Sequence, residues 1–123
     1  MPVTDDPSEI QKVLLRRWRV MEIEAPDGTR SRHVWGHDVT NNKGRASSAI
    51  VEFNVDEMTA VTRSGKHYVL VGLPGNSRLG KSAWTNWRSK NLIASELDVT
   101  KEYMNIDQLS TATFQKINNS LTQ

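Results

Sequence analysis

Apolar residues recur along this chain at two spacings, one helical and one extended. Ile10, Val13, Leu14 and Trp18 form a stripe at helical spacing. Just ahead of them, Asp6-Pro7-Ser8-Glu9 carries the marks of a helix start: an Asp cap, Pro at the first helical position and Glu three residues after the cap. The predicted helix ends at the basic cluster Arg16, Arg17, Arg19, which suits the negative end of a helix dipole. From Arg17 to Glu24 the period shortens to two. Trp18 and Val20 alternate with charged neighbours before Met21 and Ile23 take over the apolar phase, a one-residue shift that implies a bulge.

Pro26-Asp27-Gly28 supplies turn chemistry, and Thr29 to Val39 is predicted to return as the second strand of a hairpin. Asn41 to Ser48 has no periodicity and is expected to be an exposed loop. Ile50 to Val55 alternates, with Val51, Phe53 and Val55 sharing a face. Turns at Asp56-Glu57 and Ser64-Gly65 lead into strands over 58–63 and 66–73. Val69-Leu70-Val71 is apolar on both faces, so Val69 and Val71 are expected to be buried and Leu70 covered. Pro74 and Gly75 end that strand. Leu79, Ala83, Trp84 and Trp87 then fit one face of a helix from about Lys81 to Lys90. A short helix capped by Asp98 follows, and a last one pairs Leu109 with Phe114 as a staple and buries Phe114, Ile117 and Leu121.

The pattern predicts an α+β fold: an antiparallel sheet of about five strands with N-terminal and C-terminal helices packed on it. The length supports a single domain over 1–123, with 1–5 disordered and 118–123 frayed. No cysteine is present, which removes disulfides, thiolate metal sites and a cysteine nucleophile. The acidic, polar start lacks the basic and apolar regions of a signal peptide, and no apolar run is long enough for a membrane span. A cytoplasmic protein without membrane contact is the expectation.

Charge changes the picture more than composition does. The chain is nearly balanced at net +2, yet between Met58 and Ser95 stand Arg63, Lys66, Arg78, Lys81, Arg88 and Lys90 with no acidic residue. Trp84, Trp87 and Tyr68 lie among them, and basic groups interleaved with aromatic faces suit nucleic acid. Against this, the tryptophans could be core and the charges an ordinary solvated rim. The same stretch holds a formal phosphate-loop match, Gly75-x-x-x-x-Gly80-Lys81-Ser82. Such a loop normally opens a parallel β-α-β unit and needs a later strand ending in Asp to hold magnesium. Here antiparallel turns precede it, and Leu92-Ile93-Ala94 ends in Ser95-Glu96. Nucleotide hydrolysis is therefore not expected. His33, His37 and His67 lack the spacing of known zinc sites, so neither metal nor cofactor is expected. No acid and base pair or catalytic residue stands out.

The segments Arg32-His-Val-Trp-Gly-His-Asp-Val39, Thr62-Arg-Ser-Gly-Lys66 and Val71-Gly-Leu-Pro-Gly75 resemble those of small uncharacterised bacterial proteins carried on mobile genetic elements, over roughly residues 17–90. The resemblance implies a bacterial accessory protein and brings no activity with it. The first functional expectation is a small binding protein engaging nucleic acid or a phosphate-bearing ligand through a basic face of Arg63, Lys66, Arg78, Lys81, Arg88 and Lys90 with Trp84 and Trp87. A protein-interaction or inhibitor module using exposed Trp35, Trp84 and Trp87 is the alternative, and a homo-oligomer is compatible with either. An enzyme whose site the sequence does not reveal is the third and less favoured reading.

Overall fold

The computed structural model describes residues 12–105 and Gln108. Seven strands form one sheet: β1 (Lys12–Glu24), β2 (Arg30–Asp38), β3 (Lys43–Ala46), β4 (Ile50–Asn54), β5 (Thr59–Thr62), β6 (His67–Val71) and β7 (Ser95–Asp98). A helix, α1 (Arg78–Lys90), connects β6 to β7, and a 3-10 turn covers Thr100–Tyr103. The sheet is larger than the five strands expected, and α1 is the one α-helix of length among the described residues. The helix predicted to run to Trp18 gives way from Lys12 onward to β1. Its start at Asp6–Glu9, the C-terminal helix around Phe114 and both chain ends lie outside the described residues.

The strand order is β3-β2-β1-β6-β5-β4, with β7 on β1 as well. All three turn signals join antiparallel neighbours: 26–28 links β1 to β2, 56–57 links β4 to β5, and 64–65 links β5 to β6. Between β1 and β6 the pairing is parallel, from Lys12 beside His67 to Arg16 beside Val71, so the sheet is mixed. The two outermost strands of the order, β3 and β4, are consecutive pieces of chain. At the bend between them, Ser47 N–H donates to Val34 of β2 at 2.8 Å, and the Ala49 carbonyl accepts from Arg63 N–H, just past β5, at 2.8 Å. The sheet therefore curls until its two ends meet, forming a small barrel.

A bulge divides β1. Arg16 lies opposite His37 and Arg19 opposite Trp35, which leaves one extra residue on β1, and Arg17 takes a left-handed φ of 52°. The extra residue keeps Val13 and Leu15 on the same face as Trp18 and Val20, and all four point into the barrel. Trp18, fully buried, donates from Nε1 to the Gly72 carbonyl at 3.1 Å. The later phase change at Met21 has a different cause: Met21 and Ile23 face outward and are buried with Trp35, Trp84 and Ile93 in a second core beneath α1. β1 is apolar on both faces there because it serves two cores.

Other expectations shift in register. In β6 it is Tyr68 and Leu70 that enter the barrel, while Val69 and Val71 are half-buried on the outside. A second bulge between Ile50 and Glu52 leaves Val51 and Val55 exposed, and Phe53 packs edge-on against Tyr103 with ring centroids 4.9 Å apart. The supposed loop at 41–48 contains β3 and the fully buried Ser47, whose hydroxyl accepts from Val34 N–H at 2.9 Å. Asp98 closes a tight turn, accepting from Thr100 N–H at 2.9 Å. No described helix is long and apolar enough to cross a membrane.

A candidate anion-binding surface

The helix α1 lies on β2 and β3 at unusually close range, and glycines permit it. A Cβ on Gly44 would overlap the Leu79 carbonyl, and one on Gly80 would stand 2.7 Å from the Gly36 backbone. The helix start is fixed by Ser77, whose hydroxyl accepts from Gly80 N–H at 3.0 Å. The preceding segment is tied to the β1 bulge: Gly75 N–H donates to the Trp18 carbonyl at 3.2 Å and Ser77 N–H to the Arg17 carbonyl at 3.3 Å. Arg19 Nε donates to the Gly75 carbonyl at 2.9 Å.

This geometry accounts for the phosphate-loop match in steric terms. The N–H groups of Gly75, Ser77, Gly80 and Lys81 are all bonded within the chain, the last to the Ser77 carbonyl at 2.8 Å, whereas a phosphate cradle gathers such groups around the ligand. Gly75 faces the Arg17 backbone and Gly80 faces Gly36. The strand after the helix, β7, is antiparallel to β1, and β6 is parallel to β1, so the β-α-β unit is not the parallel kind.

The six basic residues separate into groups. Arg78 and Lys81 are exposed in the first turns of α1, where they line a shallow groove with Asn76, Ser82, Thr85 and Asn86. Lys90 is exposed in the last turn. Arg88, half-buried, is held by Glu96: its Nε lies 2.7 Å from an Oε2 that also accepts from Trp84 Nε1 at 3.1 Å, although the Arg88 N–H is not aligned for a hydrogen bond. Arg63 and Lys66 belong to the β5–β6 turn, next to the bend at Ser48 and Ala49.

The tryptophans are mostly interior. Trp84 is buried and stacks on half-buried Trp87, with centroids 5.2 Å apart and planes 7° from parallel; Trp35 is buried beside them. A contact surface built from all three is therefore not what the fold presents. His33 packs against Trp87 at 4.4 Å. Its Nδ1 donates to the Ser47 carbonyl at 2.9 Å, which leaves Nε2 to accept from the Ser31 hydroxyl at 2.8 Å. Burial pushes this imidazole below its usual pKa; the Ser47 bond opposes the shift and the Arg63 charge adds to it. His37 bonds Asn42 at 2.8 Å, and His67 sits on β6 between Lys12 and Val61. Among the described residues, no three His, Cys, Asp or Glu side chains gather as a metal site.

What the basic run omits is Arg16 and Arg17. Both are exposed at the bulge, and the Arg17 backbone touches the loop that caps α1. Exposed Lys43 precedes Gly44, which lies under Leu79. The acids nearest in sequence or pairing are already engaged. Asp38 is buried, with Arg45 Nε at 2.8 Å and Asn41 Nδ2 at 2.9 Å, and Asp98 pairs with Arg19 at 3.3 Å. No pattern in the sequence singles out Arg17, because the phase shift that implied a bulge falls at Met21 and belongs to the second core. Comparison with family models, with curated proteins and with solved structures finds no match for this chain.

Proposed function

We propose that this protein binds a polyanion, foremost the phosphate backbone of nucleic acid, through a surface made by the start of α1 and the β1 bulge. The observation that carries the proposal is the backbone hydrogen bond from Ser77 to Arg17, which sets the stretch bearing exposed Arg16 and Arg17 beside the start of the helix that bears exposed Arg78 and Lys81. The placement works against the helix itself. The positive end of a helix disfavours cations by about 0.3–1 kcal/mol each, and the first turn of α1 holds no acid to offset them. A sequence that accepts this arrangement gains where an anion binds. Neutral donors on the same helix face, Ser82, Thr85 and Asn86, are of the kind that contacts phosphate oxygens. An accessory role is in keeping with such binding, and Arg63, Lys66 and Arg88 become secondary to it.

Fluorescence anisotropy with labelled mixed-sequence DNA tests the proposal. Binding is expected at low salt and to fall steeply as salt rises. The triple variant Arg17→Ala, Arg78→Ala, Lys81→Ala should flatten the slope of log affinity against log salt by about 2 to 3, at roughly 0.9 per lost phosphate contact. The thermal midpoint should hold within a few degrees. Arg63→Ala with Lys66→Ala should leave binding nearly unchanged. Salt-insensitive binding, or a triple variant that binds like the wild type, would refute the assignment.

A further inference from the structure

We infer that the preferred polyanion is double-stranded B-form DNA, engaged with α1 lying along the major groove; this rests on the basic-surface reading above. The first argument is the placement of the aromatics. Proteins that hold single strands stack bases on exposed aromatic faces. Among the described residues no aromatic side chain is exposed: Trp84 is interior, Trp87 is half-buried between Trp84 and His33, and Phe53 and Tyr103 pack on each other. This surface offers charge without a stacking platform.

The second argument is the order of chemistry along α1. Arg78 and Lys81 stand at one end of its outer face and Lys90 at the other, with Thr85 and Asn86 exposed between them and no carboxylate anywhere on the helix. Lys81 and Lys90 are nine residues apart, which at about 3.6 residues per turn puts them on opposite flanks of the helix with exposed Ser82, Thr85 and Asn86 between them. The major groove of B-form DNA is about 12 Å wide and admits an α-helix. With the axis along the groove, the cation on each flank can therefore reach one phosphate backbone while the neutral hydrogen-bonding side chains face the groove floor. In duplex RNA the major groove is deep and narrow and closed to side chains.

Three labelled probes of one sequence test this by anisotropy at about 50 mM salt: a 16-base-pair DNA duplex, one of its strands, and the matching RNA duplex. The DNA duplex should bind at least tenfold more tightly than the other two. Asn86→Asp, which would place a carboxylate against the groove floor, should weaken duplex binding at least tenfold while leaving the thermal midpoint within two degrees. Equal binding of the single strand or the RNA duplex, or an Asn86→Asp variant that binds the DNA duplex normally, would overturn the groove placement and leave the basic surface standing. Absence of binding to all three probes would overturn the basic surface as well.

Discussion

Gly44→Ala is expected to undock α1 and lower stability by about 3 kcal/mol, the upper end of the usual range for a forced backbone shift in a packed region. The added methyl would overlap the Leu79 carbonyl, which is helix backbone and cannot rotate away as a side chain could. Relief requires the whole helix start to rise from β3, and that movement opens the second core, where Trp84 and Trp35 are buried against Met21 and Ile23. The thermal midpoint should drop by on the order of 10 °C. Tryptophan emission should shift to longer wavelength, and the salt-dependent binding assigned to the α1 start should weaken with it. Lys43→Ala, one residue away and exposed, is the control and should leave the midpoint almost unmoved. A Gly44→Ala protein that melts with the wild type would show that the helix is not seated on β3 as described.

The second large effect is expected from Asp38, and it should appear as acid sensitivity. Burial alone would push this carboxyl up; hydrogen bonds from the Asn41 amide, Arg45 and the Asn41 backbone N–H outweigh it and hold the pKa at about 2, against an ordinary 3.8. Because the folded value is the lower one, the unfolded chain takes up the proton first as pH falls. The stabilisation is fully present above about pH 4 and is lost progressively towards pH 2. The difference amounts to about 2 kcal/mol. Asp38→Asn should lose about that much at neutral pH, and below pH 4 its stability should approach that of the wild type. Denaturant unfolding at pH 7, 4 and 2.5 would measure both. If the variant and wild type remained equally far apart at pH 2.5, the carboxylate would not be the source.

Local chemistry was legible in the sequence wherever it acts through neighbours in the chain. Each of the three turn signals joins the strands it predicts, and α1 starts three residues before the predicted Lys81 because Ser77 caps it. The failure over 12–18 has a specific cause. In a regular strand the barrel-facing residues would be spaced by two throughout; the bulge stretches one step, from Leu15 to Trp18, to three, and with exposed Leu14 next to Val13 the apolar series imitates a helical stripe. The phase change at Met21 that implied a bulge belongs instead to the second core, and the actual bulge lies between Arg16 and Arg19. β3 was missed for the opposite reason. Gly44 and Ala46 are small to let a helix approach, and small residues leave no hydrophobic period.

The candidate surface was half legible. Arg78 and Lys81 could be named from the charge run, but proximity in sequence grouped them with Arg88, which Glu96 engages, and with the Arg63 turn. Their neighbours Arg16 and Arg17 come from the far end of the described chain. Only the pairing of β1 with the segment after β6 brings them alongside, and no residue pattern announces a parallel contact of that length.

That parallel contact also governs how the molecule can assemble. Along the order β3-β2-β1-β6-β5-β4 every other neighbouring pair can form from a hairpin or a short bend, whereas the β1–β6 seam joins Lys12 to His67 and, like the β7–β1 edge, has no local nucleus. The cost of closing so long a loop falls before its contacts repay it, so the seam is the slow step of folding. Hairpins β1–β2 and β4–β5–β6 can exist as separate, rapidly exchanging pieces until Leu15 and Trp18 find Leu70 and the ring locks. Substitutions on the seam should therefore act mainly on the folding rate, and those beneath α1, which can dock only on a finished platform, mainly on the rate of unfolding.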